Sequence, residues 1–217
     1  MQQLLLELTH QLAHYVTHNV LEVVGTLVGV LYLWLEWRAS IYLWLAGFVM
    51  PCIYVVVYFQ AGLYADFGMQ VYYILAGIYG LALWGFGRKR TKHTHPIKRT
   101  PLSLWPWLAV ITSMLWLAIG GVLTLTDSNV VWLDAFTTAV SIVATWMLAK
   151  KYVEQWLAWV AVDAVCTGLY IYKGLYFTAA LYGLYTIIAV WGYYKWLALM
   201  QRAEEEEENY AELSTMS

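Results

Sequence analysis

The stretch GRKRTKHTHPIKRTP, residues 87–101, divides the chain into two halves that are otherwise strongly apolar. It holds six of the twelve Lys and Arg residues of the 217-residue chain. On both sides of it lie apolar runs of roughly 20 residues, the length that a helix needs to cross the ~30 Å hydrocarbon core of a bilayer. A polar break between such runs is typical of a loop at the surface of a membrane protein.

The composition agrees with this interpretation. The chain is 62% hydrophobic and only 12% charged, whereas a soluble domain carries about 25% charged residues. The apolar runs show no alternation and are too long for the strands of a membrane barrel. We therefore predict an all-α integral membrane protein with no room for a separate soluble catalytic domain.

Seven transmembrane helices are predicted, separated by short polar breaks. Their expected ranges are 19–36, 40–60, 63–86, 103–126, 130–149, 152–171 and 174–198. The domain organisation follows: a first three-helix bundle (19–86), a basic cytoplasmic loop (87–101), a linker helix (102–129) and a second three-helix bundle (130–198). The acidic tail 199–217 is expected to be cytoplasmic and disordered.

Residues 1–18 are predicted to form a short amphipathic segment, because Leu4, Leu5, Leu8 and Leu12 recur at helical spacing. His10, His14 and His18 repeat every four residues. They form either the polar face of this helix or a metal-binding stripe. Cys52 and Cys166 lie in apolar spans and are expected to act as small hydrophobic residues. No cofactor, metal or nucleic-acid partner is expected.

An internal repeat relates the two bundles. Shifting the chain by 112 residues places the first three spans on the last three without an insertion or deletion between residues 22 and 196. The matched pairs include Trp34 with Trp146, Arg38 with Lys150, Trp44 with Trp156, Tyr73 with Tyr185, Gly80 with Gly192 and Trp84 with Trp196. Because one span separates the copies, they have the same orientation in the membrane. The sequence thus predicts a 3+1+3 parallel repeat, an arrangement that builds a substrate site near the bilayer midplane.

Lys and Arg residues set the predicted orientation, since they are enriched in cytoplasmic loops. With the N-terminus outside and the C-terminus inside, eleven of the twelve basic residues are cytoplasmic and only Lys173 is outside. Trp residues at span ends, such as Trp84, Trp105, Trp107 and Trp196, are interpreted as an interfacial aromatic belt.

The stretch QWLAWVAVD, residues 155–163, contains the most informative polar group. Asp163 lies near the middle of the sixth span, and no Lys or Arg occurs at similar depth. An ionisable group there costs at least ~2.5–3.5 kcal/mol, so it indicates a function or a buried partner. Either Asp163 is protonated and closes a helix contact, or its charge is met by a cationic ligand or by water.

The helical face of Asp163 is aromatic. Trp156, Trp159, Asp163, Thr167 and Tyr170 share one stripe of the helix. In the first repeat Pro51 occupies the position of Asp163. A carboxylate among aromatic rings suits a flat cationic ligand. The candidate substrate-binding residues are Trp44, Tyr54, Gln70, Trp156, Trp159, Asp163, Thr167 and Tyr185.

Four stretches resemble the PnuC family of vitamin transporters, and together they span nearly the whole membrane part, residues 19–198. They are YLWLEWRASIYLW (32–44), YFQAGLYADFGMQVYYI (58–74), KYVEQWLAWVAVDAV (151–165) and LYIYKGLYFTAALYG (169–183). The resemblance implies a SWEET-like 3+1+3 fold and import of nicotinamide riboside by facilitated diffusion, with thiamine or riboflavin as substrates of relatives. It also implies trapping by a cytoplasmic vitamin kinase and assembly as a homotrimer in the bacterial inner membrane.

Two other functional classes have weaker sequence support. A retinal photoreceptor needs a lysine in mid-membrane, but Lys195 in the last span lies at its cytoplasmic end. A membrane enzyme needs a catalytic cluster, and His93 and His95 lie in the basic loop. No nucleotide-phosphate motif supports direct use of ATP. Of the three classes, the sequence favours a passive carrier of a cationic vitamin over an enzyme.

Overall fold

The computed structural model describes residues 20–60, 64–86, 97–126, 130–174 and 176–215 of the chain. These described residues form seven α-helices in the order of the predicted spans. The helices are α1 (Val20–Trp37), α2 (Tyr42–Gln60), α3 (Tyr64–Phe86), α4 (Trp105–Leu123), α5 (Val131–Ala149), α6 (Gln155–Tyr172) and α7 (Tyr176–Thr215). The predicted N-terminal segment with His10, His14 and His18, and most of the basic loop, lie outside the described residues.

The described residues form two compact units that divide after Ile78, within α3. In the first unit α1 packs against α2. The ring of Tyr32 lies on Gly47 and the ring of Phe48 lies on Gly77, so close that a Cβ on either glycine would be 3.1 Å from a ring carbon. Small residues of this kind let membrane helices approach each other closely.

In the second unit α4 packs against α5, α5 against α6, and α6 against α7. A buried cluster of Leu108, Val143, Met147 and Tyr152 joins α4 to the C-terminal end of α5. At the other end of these helices the Trp116 indole N–H donates to the carbonyl of Trp132 at 2.8 Å. These contacts fix α4 along the length of α5.

The connection between α1 and α2 has the same backbone geometry as the connection between α5 and α6. Ala39 and Lys151, which are 112 residues apart, both adopt left-handed φ values, of 49° and 56°. In each connection the left-handed residue donates to the carbonyl three residues before it, and the next residue donates to the carbonyl five residues before it. This pair of bonds defines a Schellman motif, which ends a helix and turns the chain. The offset is that of the sequence repeat.

A group of contacts, here called the clasp, joins residues 97–101 to the α5–α6 connection. The Lys98 N–H donates to the carbonyl of Lys151, and the Val153 N–H donates to the carbonyl of Lys98, each at 3.0 Å. The backbone N–H and hydroxyl of Thr100 both donate to one carboxylate oxygen of the buried Glu154, at 2.7 and 2.8 Å. Hydrogen bonds to a charged acceptor are about twice as strong as neutral ones. The start of α4 is therefore anchored to the start of α6.

The end of α3 meets the same connection through Trp84. Its indole N–H donates to the carbonyl of Ala149 at 2.9 Å, and the Lys151 ammonium lies 4.2 Å from the centre of its ring. Burial lowers the pKa of Lys151 to about 8, because desolvation disfavours the charged form. The predicted belt position of Trp84 is wrong, and so is that of Trp196, because both side chains are buried in helix contacts.

The expectation of a disordered acidic tail is also wrong. Helix α7 continues without a break to Thr215, far beyond the predicted end of the last span at residue 198. Extending an existing helix avoids the cost of nucleation. Glu and Ala, which make up eight of the fifteen residues after residue 202, are strong helix formers. At ~1.5 Å per residue, this 40-residue helix is about 60 Å long, roughly twice the hydrocarbon thickness.

Among the residues that the structure describes, three segments are long and apolar enough to cross a membrane by length and composition alone: Phe67–Gly85, Leu102–Leu123 and Val131–Ala149. Val28–Trp37 and Tyr42–Val56 are shorter apolar helical stretches. The outward face of α4 exposes large apolar side chains, including Trp107, Met114 and Leu117. A face of this kind is stable against lipid rather than water.

Candidate functional site

The carboxylate of Asp163 lies in the second unit, on α6. The residue is only 8% exposed, and in the part of the chain that the structure describes no Lys or Arg forms an ion pair with it. Its electrostatic neighbours are Cys166 on the same helix and Tyr182 and Tyr185 on α7. The site is thus formed where α6 faces α7.

Tyrosine rings line the α7 side of this site. The rings of Tyr170 and Tyr182 are 5.1 Å apart with an interplanar angle of 31°, which joins α6 to α7. Tyr182 contacts Tyr185 edge-on at 5.8 Å. Tyr185 was predicted as a site residue, whereas Tyr182 was not. The two tyrosines are three residues apart on one helix, and this spacing could have identified Tyr182 as part of the same face.

Thr167 follows Asp163 by one helical turn. Its hydroxyl donates to the backbone carbonyl of Asp163 at 2.8 Å. This bond uses the only proton of the hydroxyl but leaves its oxygen able to accept a hydrogen bond. Thr167 can therefore face a ligand as an acceptor.

The two tryptophans of α6 have different surroundings. Trp156 is 1% exposed, and its ring meets the ring of Trp196 edge-on at 5.9 Å. It also covers Gly192, where an added Cβ would lie 2.6 Å from a ring carbon. Trp156 is therefore a packing residue between α6 and α7. The surroundings of Trp159 differ, since this side chain is only partly buried.

Trp159 carries a buried polar atom that has no partner in the part of the chain that the structure describes. Its indole nitrogen is buried and has no hydrogen-bond acceptor among the described residues, and the same is true of the Trp156 nitrogen. An unsatisfied buried donor costs about 1–3 kcal/mol. A bound ligand or water that accepts a hydrogen bond from Trp159 would remove this cost.

The remaining predicted site residues belong to the first unit. Trp44 is buried, and Tyr54 and Gln70 are partly buried. Within the second unit, Asp163 on α6 lies within electrostatic range of Tyr185 on α7, and Trp159 and Thr167 are each one turn from Asp163 along α6.

A groove in the described residues lies on another side of α6. It has a volume of about 810 Å³ and is lined on α6 by Ala164, Val165, Gly168, Leu169 and Tyr172. At ~100° per residue these positions fall on the side of α6 away from Asp163. The described residues also contain no group of three His, Cys, Asp or Glu side chains that could hold a metal ion.

The fold and the site define a multi-span helical membrane protein with a buried, aromatic-lined carboxylate. Residues 19–198 match the model of the nicotinamide mononucleotide transporter family. This match covers most of the chain, and the chain belongs to that family of membrane transporters. The resemblance to PnuC-type transporters predicted from the sequence is thereby confirmed.

Individual relatives agree with this assignment. The chain is 27% identical over 203 residues to the nicotinamide riboside transporter PnuC of Escherichia coli, with 82% of this chain and 84% of that protein covered. It is 24% identical over 182 residues to the riboflavin/roseoflavin transporter RibM of Streptomyces davaonensis, covering 81% and 83%. The crystal structure of the vitamin B3 transporter PnuC superposes with a TM-score of 0.65 over 92% of this chain and 90% of that chain. At 24% identity this likeness shows a shared fold.

Proposed function

We propose that this protein imports nicotinamide riboside across the bacterial inner membrane by facilitated diffusion. Family membership supports a transporter, and the E. coli relative is a nicotinamide riboside transporter. The observation that carries the choice of substrate is the buried Asp163 carboxylate, which forms no ion pair with a Lys or Arg among the described residues and lies within electrostatic range of Tyr182 and Tyr185. The pyridinium ring of nicotinamide riboside is flat and positively charged, so it complements both features.

The proposed binding geometry follows from the chemistry of the side chains. The carboxylate of Asp163 would offset the charge of the ring, and the faces of Tyr182 and Tyr185 would each attract the cation by ~0.5–2 kcal/mol. The Trp159 indole N–H and the Thr167 oxygen would bond the ribose hydroxyls or the amide. Trp156 would act indirectly, by holding α6 against α7. Trp44, Tyr54 and Gln70 remain substrate contacts predicted from the sequence.

The transport cycle is proposed to be alternating access in a 3+1+3 parallel repeat, with α4 as the linker. The identical hydrogen-bond patterns around Ala39 and Lys151 support a repeated frame. The distribution of Lys and Arg supports an outside N-terminus and a cytoplasmic C-terminus. Phosphorylation of the vitamin by a cytoplasmic kinase would trap it, and the transporter would assemble as a homotrimer.

Thiamine is the second candidate substrate, because its thiazolium ring also carries a positive charge. Riboflavin, the substrate named for RibM, is larger and uncharged at its ring system. It therefore gains less from a buried carboxylate than either cation. The carboxylate therefore favours binding of nicotinamide riboside and thiamine over riboflavin, but its charge does not favour one of these two cations over the other.

Uptake into proteoliposomes tests this proposal. Purified protein is reconstituted without ATP or an ion gradient, and entry of radiolabelled nicotinamide riboside, thiamine and riboflavin is followed. We expect nicotinamide riboside to equilibrate down its gradient and to exchange with unlabelled vitamin inside. Protein-free vesicles are the control. Equilibration of thiamine alone would transfer the proposal to thiamine, and failure of all three to enter would overturn it.

A further inference from the structure

A second groove in the described residues runs along α4 and α5 with a volume of about 360 Å³. Its walls are almost entirely apolar and include Leu108, Ala109, Val140 and Val143. Of the lining residues, Trp105 and Trp116 are the first and the last along α4. At ~1.5 Å per residue they are about 16 Å apart along the helix, close to half of the ~30 Å hydrocarbon core. The groove therefore has the depth of one leaflet.

The inner end of the groove is closed by aromatic rings. Trp116 meets Phe136 edge-on, with centroids 6.0 Å apart and an interplanar angle of 79°. The hydrogen bond from Trp116 to the carbonyl of Trp132 fixes the indole in this position. The lining of the groove thus ends at Trp116, the twelfth of the nineteen residues of α4, instead of continuing to the end of the helix.

The outer end of the groove carries positive charge. Leu108, Val143 and Met147 line the groove and pack in one cluster with Tyr152, and the Lys98 ammonium lies 5.4 Å from the centre of the Tyr152 ring. Arg99 follows, with its side chain 60% exposed and 3.6 Å from Glu154. Glu154 also accepts two hydrogen bonds from Thr100, so its charge is already engaged in the clasp. Lys98 is exposed and available to an anion.

We propose that this groove binds one anionic phospholipid, with an acyl chain between α4 and α5 and the headgroup phosphate at Lys98. The length of the groove matches an acyl chain, the rings of Trp116 and Phe136 end it within the membrane, and the basic mouth complements a phosphate at the membrane surface. Basic residues at the surface end of a cleft between membrane helices are a known mode of lipid recognition. This inference does not depend on which vitamin is transported.

Native mass spectrometry of the purified protein tests the proposal. The protein in detergent is titrated with phosphatidylglycerol and, separately, with phosphatidylcholine of the same acyl chains. We expect phosphatidylglycerol adducts to form at lower lipid concentration. Lys98→Ala should weaken phosphatidylglycerol binding about fivefold, since one basic residue at the surface contributes about 1 kcal/mol. Lys173→Ala, at the far end of α6, is the matched control and should change nothing.

A second pair of variants tests the acyl-chain part. Ala109→Phe fills the groove, whereas Ala118→Phe adds the same side chain to α4 at an exposed position outside it. We expect only Ala109→Phe to abolish the phosphatidylglycerol adducts, while both variants elute as monodisperse protein. Glycerol phosphate without acyl chains should not compete.

Several outcomes would overturn the proposal. Equal binding of the two lipids, or an unchanged affinity in Lys98→Ala, would show that the groove does not recognise an anionic headgroup. Unchanged lipid adducts in Ala109→Phe would show that the lipid does not bind in the groove. Competition by glycerol phosphate would show that the site binds a soluble anion.

Discussion

Residues 34–51 and 146–163 occupy corresponding positions in the two repeat copies, and they use the same frame for different purposes. Both contain a left-handed residue that ends one helix, Ala39 or Lys151, and a buried tryptophan in the first turn of the next helix, Trp44 or Trp156. At the end of each segment the copies diverge, with Pro51 in the first and Asp163 in the second. What repeats is the backbone turn and its packing, and what differs is the group that we expect to bind substrate.

The largest expected effect is on stability and distinguishes the packing residue Trp156 from the proposed binding residue Trp159 on α6. Trp156→Ala removes the ring that covers Gly192 and meets Trp196, and large-to-small core changes of this type cost about 3–5 kcal/mol. We expect a marked fall in the apparent melting temperature in detergent. Trp159→Ala should keep the melting temperature within a few degrees and weaken substrate binding. Equal thermal losses in the two variants would contradict this division.

A second comparison substitutes, one at a time, the two residues at which the repeat copies diverge, Asp163 and Pro51. Asp163→Asn keeps the shape of the side chain but removes its charge, and loss of a buried charge contact costs about 2–5 kcal/mol of binding. Initial uptake of nicotinamide riboside should fall at least about tenfold. Pro51→Ala, at the corresponding position of the first copy, should stay within about twofold of the wild type. Similar losses in both variants would mean that the repeat divergence is not functional.

Substitutions in the clasp should have a smaller effect, which we expect on the free energy of unfolding. Glu154→Gln keeps one acceptor for Thr100 but loses the charge that strengthens both hydrogen bonds. We expect unfolding to become easier by about 1–3 kcal/mol. Thr100→Ala removes the hydroxyl donor and keeps the backbone donor, so it should lose less stability than Glu154→Gln. The reverse order of melting temperatures would show that the carboxylate is not the main anchor.

The smallest expected effect concerns Lys151 and is seen in the pH dependence of stability. Its pKa is lowered to about 8 in the folded state by burial, from an ordinary value of 10.5. Between these two pH values the unfolded state binds more protons, so stability should rise with pH and level off above the upper value. Lys151→Met should lose this rise when melting temperatures are compared from pH 7 to 11. An identical pH profile in the variant would contradict the assignment.

Much of the fold could be predicted because hydrophobic length and the 112-residue repeat are properties of the chain itself. All seven expected spans correspond to α-helices in the described residues. Where a helix boundary differs from the predicted one, the reason lies in contacts and chain context that the sequence pattern does not show. Helix α6 begins at Gln155 instead of 152 because Tyr152 and Val153 belong to the turn and the clasp. The tail was expected to be disordered from its charge, but it continues a helix that is already nucleated.

The site could be predicted only in part. Periodicity along α6 places Trp156, Trp159 and Asp163 on one face, but it does not say which helix covers each turn of that face. Gly192 and Trp196 cover Trp156, whereas Tyr182 and Tyr185 lie near Asp163. This contact between helices is what separates packing from binding.

The central claim is that Asp163 recognises the positive charge of the substrate. The most direct test measures competition with labelled nicotinamide riboside uptake by unlabelled nicotinamide riboside and by its reduced form, which has nearly the same shape and an uncharged ring. We expect the wild type to prefer the cation by at least about tenfold, the consequence of one lost charge contact, and Asp163→Asn to lose this preference. Equal competition by the two forms in the wild type, or an undiminished preference in Asp163→Asn, would contradict the claim.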